Sequence, residues 1–211
     1  DWANQFSICC FLDDNQYRLR EHSFECLLAV NAQSVLHTTQ GKVFEQLQAF
    51  IDKSNDWCFG HLGYDLKNEI ETLQSDNADP VKFDDIFFFV PEIVLILRSN
   101  ELLIGVKGQE HASVARAVFN RLPATPSTPL QIEIKSRFSR NAYINTVREL
   151  QQHILQGNCY EINFCQEFYN DHAVINPLQV YMALSKESPN PFSCYYKLED
   201  KYLLCASPER Y

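Results

Sequence analysis

The apolar positions of this chain switch between two periods, and each switch marks an element. Residues 6–12 and 24–30 are short apolar runs separated by Asp13-Asp14-Asn15, and read as two strands either side of a turn. Phe44, Leu47, Phe50 and Ile51 recur at +3, +6 and +7, which predicts one face of an amphipathic helix after Gly41. Residues 57–64 predict a third strand carrying two glycines, and Asp65 is placed to cap a short polar helix running through Glu71. Strands follow over 86–90, 93–98 and 102–106, the last two joined by a turn at Asn100-Glu101, and then a helix over 112–122.

The run P-A-T-P-S-T-P at 123–129 has the composition of a linker, and the main organisational break is placed there. Beyond it, Ser139 is a candidate N-cap for a helix whose apolar positions are Tyr143, Ile144, Val147, Leu150, Ile154 and Leu155. Gly157 stands where a left-handed C-terminal residue is expected. Residues 159–169 alternate: Tyr160, Ile162, Phe164 and Phe168 would point one way, and Glu161, Asn163, Cys165 and Glu167 the other, as on a strand. A helix opening with Pro177 runs to 186, and 192–198 with 202–206 predict a hairpin around Glu199-Asp200. The pattern specifies a mixed α+β fold without internal repeats.

Composition narrows the function. The 211 residues carry a net charge of −9, with Lys and Arg scattered, so the basic stripe that nucleic-acid binding requires is missing. The most apolar stretch, residues 86–97, is interrupted by Pro91 and Glu92 and is shorter than the roughly 20 residues of a spanning helix, so no membrane partner is expected. The eight cysteines show no CxxC spacing and sit inside apolar or alternating runs. They read as reduced, buried thiols of a cytoplasmic protein rather than as metal ligands or a disulfide framework.

Three segments could carry chemistry. Gly60-His-Leu-Gly-Tyr-Asp65 lacks dinucleotide or P-loop spacing, and close packing is its simplest reading. The 157–166 segment would place polar side chains, Glu161 and Asn163 among them, on one strand face. That face could line a wet cavity or simply meet solvent. Asn190-Pro-Phe-Ser193 precedes the hairpin, and Ala206-Ser-Pro-Glu-Arg-Tyr211 follows it. Pro208 cannot donate to a sheet and so ends the strand, leaving Glu209 at its mouth or in a surface ion pair with Arg210.

GYDL with its following glutamate, the G-N-C-Y-E-I-N strand, NPF and ASPER, taken in this order, resemble the chorismate-binding enzymes, a family of anthranilate, aminodeoxychorismate, isochorismate and salicylate synthases. The likeness is strong after Arg140 and weak before Gly60. It implies an α+β fold, mostly antiparallel and two-sheeted, with flanking helices. It divides the chain into an N-terminal region (1–122) like that of anthranilate synthase component I, a linker (123–131), and the first part of the chorismate-binding region (132–211). GYDLKNEIE and Y-E-I-N are most similar to the aminodeoxychorismate synthase branch.

That branch replaces the 4-hydroxyl of chorismate with ammonia supplied by a glutamine amidotransferase partner. By the resemblance Glu209 is the acid that protonates the departing oxygen, while Glu161, Asn163 and Ser207 line the substrate cavity. Glu161 stands where isochorismate and salicylate synthases carry lysine and the aminating enzymes usually carry glutamine, which argues against a lysine-activated water. An effector pocket is implied at Leu12, Asp14, Pro191, Phe192 and Ser193; Asp14 replaces a serine there, and packing is the simpler role for Pro191 and Phe192. The family's Mg²⁺ ligands, lysine nucleophile and glycine-rich loop would lie beyond Tyr211, so no metal ligand is expected within 1–211. The chain, with Met182 as its only methionine, reads as a truncated piece, expected to be inactive alone and prone to self-association through uncovered sheet. Anthranilate synthase component I and a non-catalytic amino-acid-binding module are the alternative readings.

Overall fold

The computed structural model describes residues 1–17, 24–38, 41–75, 77–108, 110–121 and 131–206. They fall into two compact units, Asp1–Pro126 with Pro177–Tyr211, and Ser127–Asn176. Residues 177 onward lie in the first unit with the N-terminal strands, through a strand pairing that composition cannot show.

The first unit is built on an antiparallel sheet of seven strands. These are β1 (Ile8–Asp13), β2 (Cys26–Thr38), β3 (Phe59–Leu62), β4 (Ile86–Arg98), β5 (Glu101–Val106), β8 (Ser193–Leu198) and β9 (Lys201–Ala206), in the order β3-β4-β2-β1-β8-β9 with β5 also on β4. β1 pairs with β8 from Ile8↔Leu198 to Asp13↔Ser193, and this ladder brings the C-terminal hairpin home. The strands expected over 86–90 and 93–98 are one strand, β4, which passes through Pro91. Pro91 lies opposite Ala32, where the register of β2 shifts, and an irregular step of this kind tolerates a residue that cannot donate to the ladder. Asn31, at φ 56°, donates from Nδ2 to Glu92 Oε2 (2.7 Å) and pins the irregularity. The first half of β4 pairs with β3 and the second half with β5.

Both faces of this sheet carry apolar clusters. On one, Cys9, Val30, Ile93, Leu95 and Tyr195 pack with Trp2, with Val114 of α3 (His111–Phe119) and with Tyr181 of α5 (Pro177–Glu187). On the other, Cys10, Leu27, Ala29, Phe59, Phe87, Phe89, Tyr196 and Leu198 form a second cluster. The facing parity of β4 changes across Pro91, so that Phe87 and Phe89 but also Val94 and Ile96 serve the second cluster, as a local irregularity in a period-two element permits. Val43 of α1 (Val43–Ser54) closes a third, smaller group with Leu66 and Ile86. Full burial of a side chain such as Phe89 stabilises the sheet by about 1.5–3 kcal/mol.

Asp65 does not cap a helix. Residues Tyr64–Leu66 form a 3-10 turn leading into the single turn α2 (Lys67–Ile70), and the Asp65 carboxylate is instead ion-paired with Lys67 at 2.5 Å.

The second unit holds α4 (Arg140–Leu155) and a two-stranded ladder of β6 (Lys135–Ser136) and β7 (Phe168–Tyr169). Ser139 caps α4, its hydroxyl accepting from Ala142 N at 3.2 Å, and Gly157 follows at φ 78°, both as the sequence predicts. The strand expected over 159–169 is reduced to Phe168–Tyr169. The remainder is irregular, held by Phe164 stacked on Tyr143 (ring centroids 5.2 Å) and by Gln166, which donates to Phe138 O at 2.9 Å and accepts from Phe138 N at 3.2 Å. Alternation alone does not make a strand; a hydrogen-bonding neighbour does, and among the described residues only β6 supplies one. None of the described helices is long and apolar enough to cross a membrane.

Gly60 sits where β3 crosses closest to β4: a Cβ there would meet Phe87 O at 1.9 Å. Gly60→Ala is therefore expected to force the two strands apart and to destabilise the protein by about 1–3 kcal/mol, read as a lowered urea midpoint. A midpoint equal to that of the parent would show that β3 can move away freely.

Candidate functional site

The glycines of the 60–65 segment serve packing. Beside Gly60, a Cβ on Gly63 would press on Asp85 O at 3.1 Å. Between them His61 is enclosed by rings, stacked on Phe87 (6.3 Å) and edge-on to Phe83 (5.3 Å) and Tyr196 (5.5 Å). Its Nδ1 lies 3.2 Å from Tyr196 Oη and its Nε2 lies 2.9 Å from Asp84 O. Both nitrogens are thus engaged, and the imidazole is a satisfied core group.

The residues assigned to the substrate cavity lie in different settings. Glu161 and Asn163 are exposed on the irregular segment of the second unit. Ser207 and Glu209 lie outside the described residues. The described chain ends at Ala206, the last residue of β9, so the S-P-E-R run follows directly from an ordered sheet strand. Among the described residues no group of three or more His, Cys, Asp or Glu side chains is placed to hold a metal ion.

The five residues assigned to an effector pocket meet at one place, the end of the β1–β8 ladder. Leu12 lies opposite Cys194, and Asp13 opposite Ser193. Because neighbours on a strand face opposite ways, Leu12 turns toward the second apolar cluster while Ser193 faces the first. Asp14 is buried just past β1, its N–H donating to Glu25 O (2.9 Å) and its Oδ1 accepting from Gln16 N (2.8 Å). Pro191 and Phe192 form a partly buried turn before β8, with Phe192 N donating to Asn190 Oδ1 at 3.1 Å. Ser193 is 1% exposed, 2.5 Å from Tyr181 Oη and 3.4 Å from Ser185 Oγ.

Beside this junction lies a cavity of about 460 Å³, walled by Trp2, Phe11, Leu95, Tyr181 and Tyr195, with Asp1, Asn4, Asp13 and Ser185 among its polar groups. Asp13 rather than Asp14 borders it. Its Oδ1 accepts from Asn15 N at 2.9 Å and from Cys26 Sγ at 3.5 Å, and burial together with this carboxylate pushes the Cys26 thiol up to about 12. Burial likewise raises the Tyr181 hydroxyl, keeping it a proton donor. Asn15 ties the turn after β1 to the turn before β8 through Nδ2 to Asn190 O at 2.7 Å. Asp13, Asn15, Tyr181 and Ser185 were not singled out as site residues from the sequence. The Asp13-Asp14-Asn15 run signalled a turn, and nothing in it told which carboxylate would face inward.

A profile of chorismate binding enzymes matches residues 8–211. Aminodeoxychorismate synthase component 1 of Escherichia coli (strain K12) is 23% identical over 156 residues, covering 73% of this chain and 34% of that protein. Anthranilate synthase component 1 of Thermus thermophilus is 26% identical over 161 residues, covering 71% of this chain and 35% of the other. The chain thus spans about a third of the length of these curated relatives. The crystal structure of anthranilate synthase component I from Streptococcus pneumoniae TIGR4 superposes with a TM-score of 0.68 at 18% identity, over 92% of this chain and 53% of that one, which establishes the shared fold. With the profile running from β1 through the final S-P-E-R residues, the chain belongs to the chorismate-binding enzyme family.

Proposed function

We propose that the protein containing this chain aminates chorismate at C4, giving 4-amino-4-deoxychorismate with ammonia delivered by a glutamine amidotransferase partner. The observation that carries the reading is the family match through residue 211, which includes the A-S-P-E-R run at the end of β9. The G-Y-D-L-K-N-E-I-E segment at 63–71 favours the aminodeoxychorismate branch over anthranilate synthesis. Relatives of both kinds support the broader chorismate chemistry.

Hydroxide is a poor leaving group from carbon. As the C4–O bond breaks, the oxygen must receive a proton and depart as water, while the nitrogen of ammonia forms the new bond to C4. Glu209 is the acid in this reading, and its carboxyl would need a proton near neutral pH, which a desolvated setting favours. Ser207, two residues before it in the sequence, is its companion in this reading; Glu161 and Asn163 are exposed on the second unit.

In the full-length enzyme Glu209→Gln is expected to lower kcat by about 10²- to 10⁴-fold with KM little changed. Unchanged turnover would remove Glu209 from the mechanism. With chorismate, ammonia and Mg²⁺, the parent enzyme should accumulate aminodeoxychorismate without anthranilate fluorescence; direct release of anthranilate would assign it to the other branch.

The 460 Å³ cavity favours a second role, that of an effector site for an amino acid, with Asp13 meeting the ammonium group and Trp2, Phe11 and Tyr195 the apolar side chain. The Asn15–Asn190 and Tyr181–Ser193 contacts would carry its occupancy to the turn at Pro191 and Phe192. In a thermal-shift screen of amino acids, at least one aromatic or aliphatic member should raise Tm for the parent and not for Asp13→Ala. The same response in both proteins would discard the site.

A further inference from the structure

A second cavity, of about 520 Å³, lies in the first unit and shares no residue with the one beside Asp13. Its position follows from the pairing of β4. One edge of β4 is taken along nearly its whole length by β2, so β3 and β5 must share the other: β3 takes residues 86–89 and β5 takes 93–98. Residues 90–92 are left between them as a notch in the sheet. Pro91 suits this place, because it offers no N–H that would need a partner. Trp57 borders the notch from the start of β3, and Lys107 from the end of β5.

The floor of the notch is apolar and has a gap. Val94 lies opposite Gly105 and Ile96 opposite Leu103, on the face of the sheet that carries the second cluster. A Cβ on Gly105 would come no closer than 3.7 Å to Val94 O, so the backbone does not demand glycine there and the missing side chain leaves open space. Trp57 forms one wall. Its ring lies 6.2 Å from that of the buried Phe59 and is still 47% exposed, while its N–H donates to Asp56 Oδ1 at 2.7 Å.

Three charges border this space, and two of them cancel. Lys107 Nζ donates to Asp56 Oδ2 and to Gln33 Oε1 (3.0 Å), and its hydrogen bond holds the Asp56 carboxyl below the usual range. Glu92 is left over. Its Oε2 accepts from the neutral amide of Asn31 at 2.7 Å, and among the described residues no cation is paired with it. A carboxylate ligand would face Glu92 and would have to displace Asp56 from Lys107. A cation gains at both places: a charge-assisted hydrogen bond at Glu92, and attraction to the face of the Trp57 ring.

We propose that the notch between β3 and β5 is a binding site for an organic ammonium compound with an aromatic body, its cation held by Glu92 and its ring laid over Gly105 beside Trp57. The volume lies within the roughly 300–1,000 Å³ of small-molecule sites, as does the plan of an apolar lining with few polar groups.

The test is isothermal titration of the full-length protein with 2-phenylethylamine, and with 3-phenylpropionate and 2-phenylethanol as the anionic and neutral counterparts. The amine should bind, and each counterpart should bind more weakly by about tenfold or more, as loss of a charge-assisted hydrogen bond implies. Glu92→Gln keeps an acceptor for Asn31 but loses the charge, and should weaken the amine by a similar factor. Gly105→Val fills the floor and should abolish binding at an unchanged urea midpoint, whereas Asp13→Ala should bind as the parent does. Absence of binding by the parent, equal binding of 3-phenylpropionate, full binding by Gly105→Val, or loss in Asp13→Ala would each overturn the proposal. None of these outcomes depends on which reaction the enzyme performs on chorismate.

Discussion

The pairing of β1 with β8 is the constraint on which the first unit depends. Six consecutive partners join a strand at 8–13 to one at 193–198, and residues 177–206 are drawn into the same body as the N-terminus. Closing so long a loop costs entropy that grows only slowly with length, whereas the ladder gains a hydrogen-bonded register and two apolar faces at once. The cavity beside Asp13 lies along this ladder. So does the start of the hairpin that leads into S-P-E-R.

Because both faces of the sheet carry apolar clusters, its strands do not follow a simple inside–outside alternation. β4 shows the consequence: residues 86–97 are almost unbroken in apolar character, and Phe87, Phe89, Ile93 and Leu95 serve two different clusters. The irregular step at Ala32 and Pro91 lets one strand change its facing parity while keeping its hydrogen bonds to β2. Close approach of β3 then demands Gly60, so the glycines of the G-H-L-G-Y-D segment answer to the sheet rather than to a ligand. His61, with both ring nitrogens bonded and three aromatic rings around it, belongs to that packing.

At the junction of β1 and β8 the fold sorts neighbouring residues by side. Leu12 and Cys194 go one way, Asp13 and Ser193 the other, so a group of residues contiguous in a motif is divided between an apolar cluster and a polar-edged cavity. In the second unit the order is local: Ser139 caps α4, Gly157 ends it, and Phe164 docks on Tyr143. Glu161 and Asn163 stand exposed between those anchors.

Local chemistry was therefore readable from the chain alone. The caps of α4, the helices near 43–54 and 177–187, the hairpin turning at Glu199-Asp200 and the family motifs each depend on residues close together in sequence. Tertiary structure decided what depends on distant partners: that β4 is one strand through Pro91, and that 159–167 is irregular because only β6 pairs beside it. It also decided that Asp13, not Asp14, borders the cavity. A period of two tells which residues share a face, but the ladder's register alone determines which face is buried and what lies across from it.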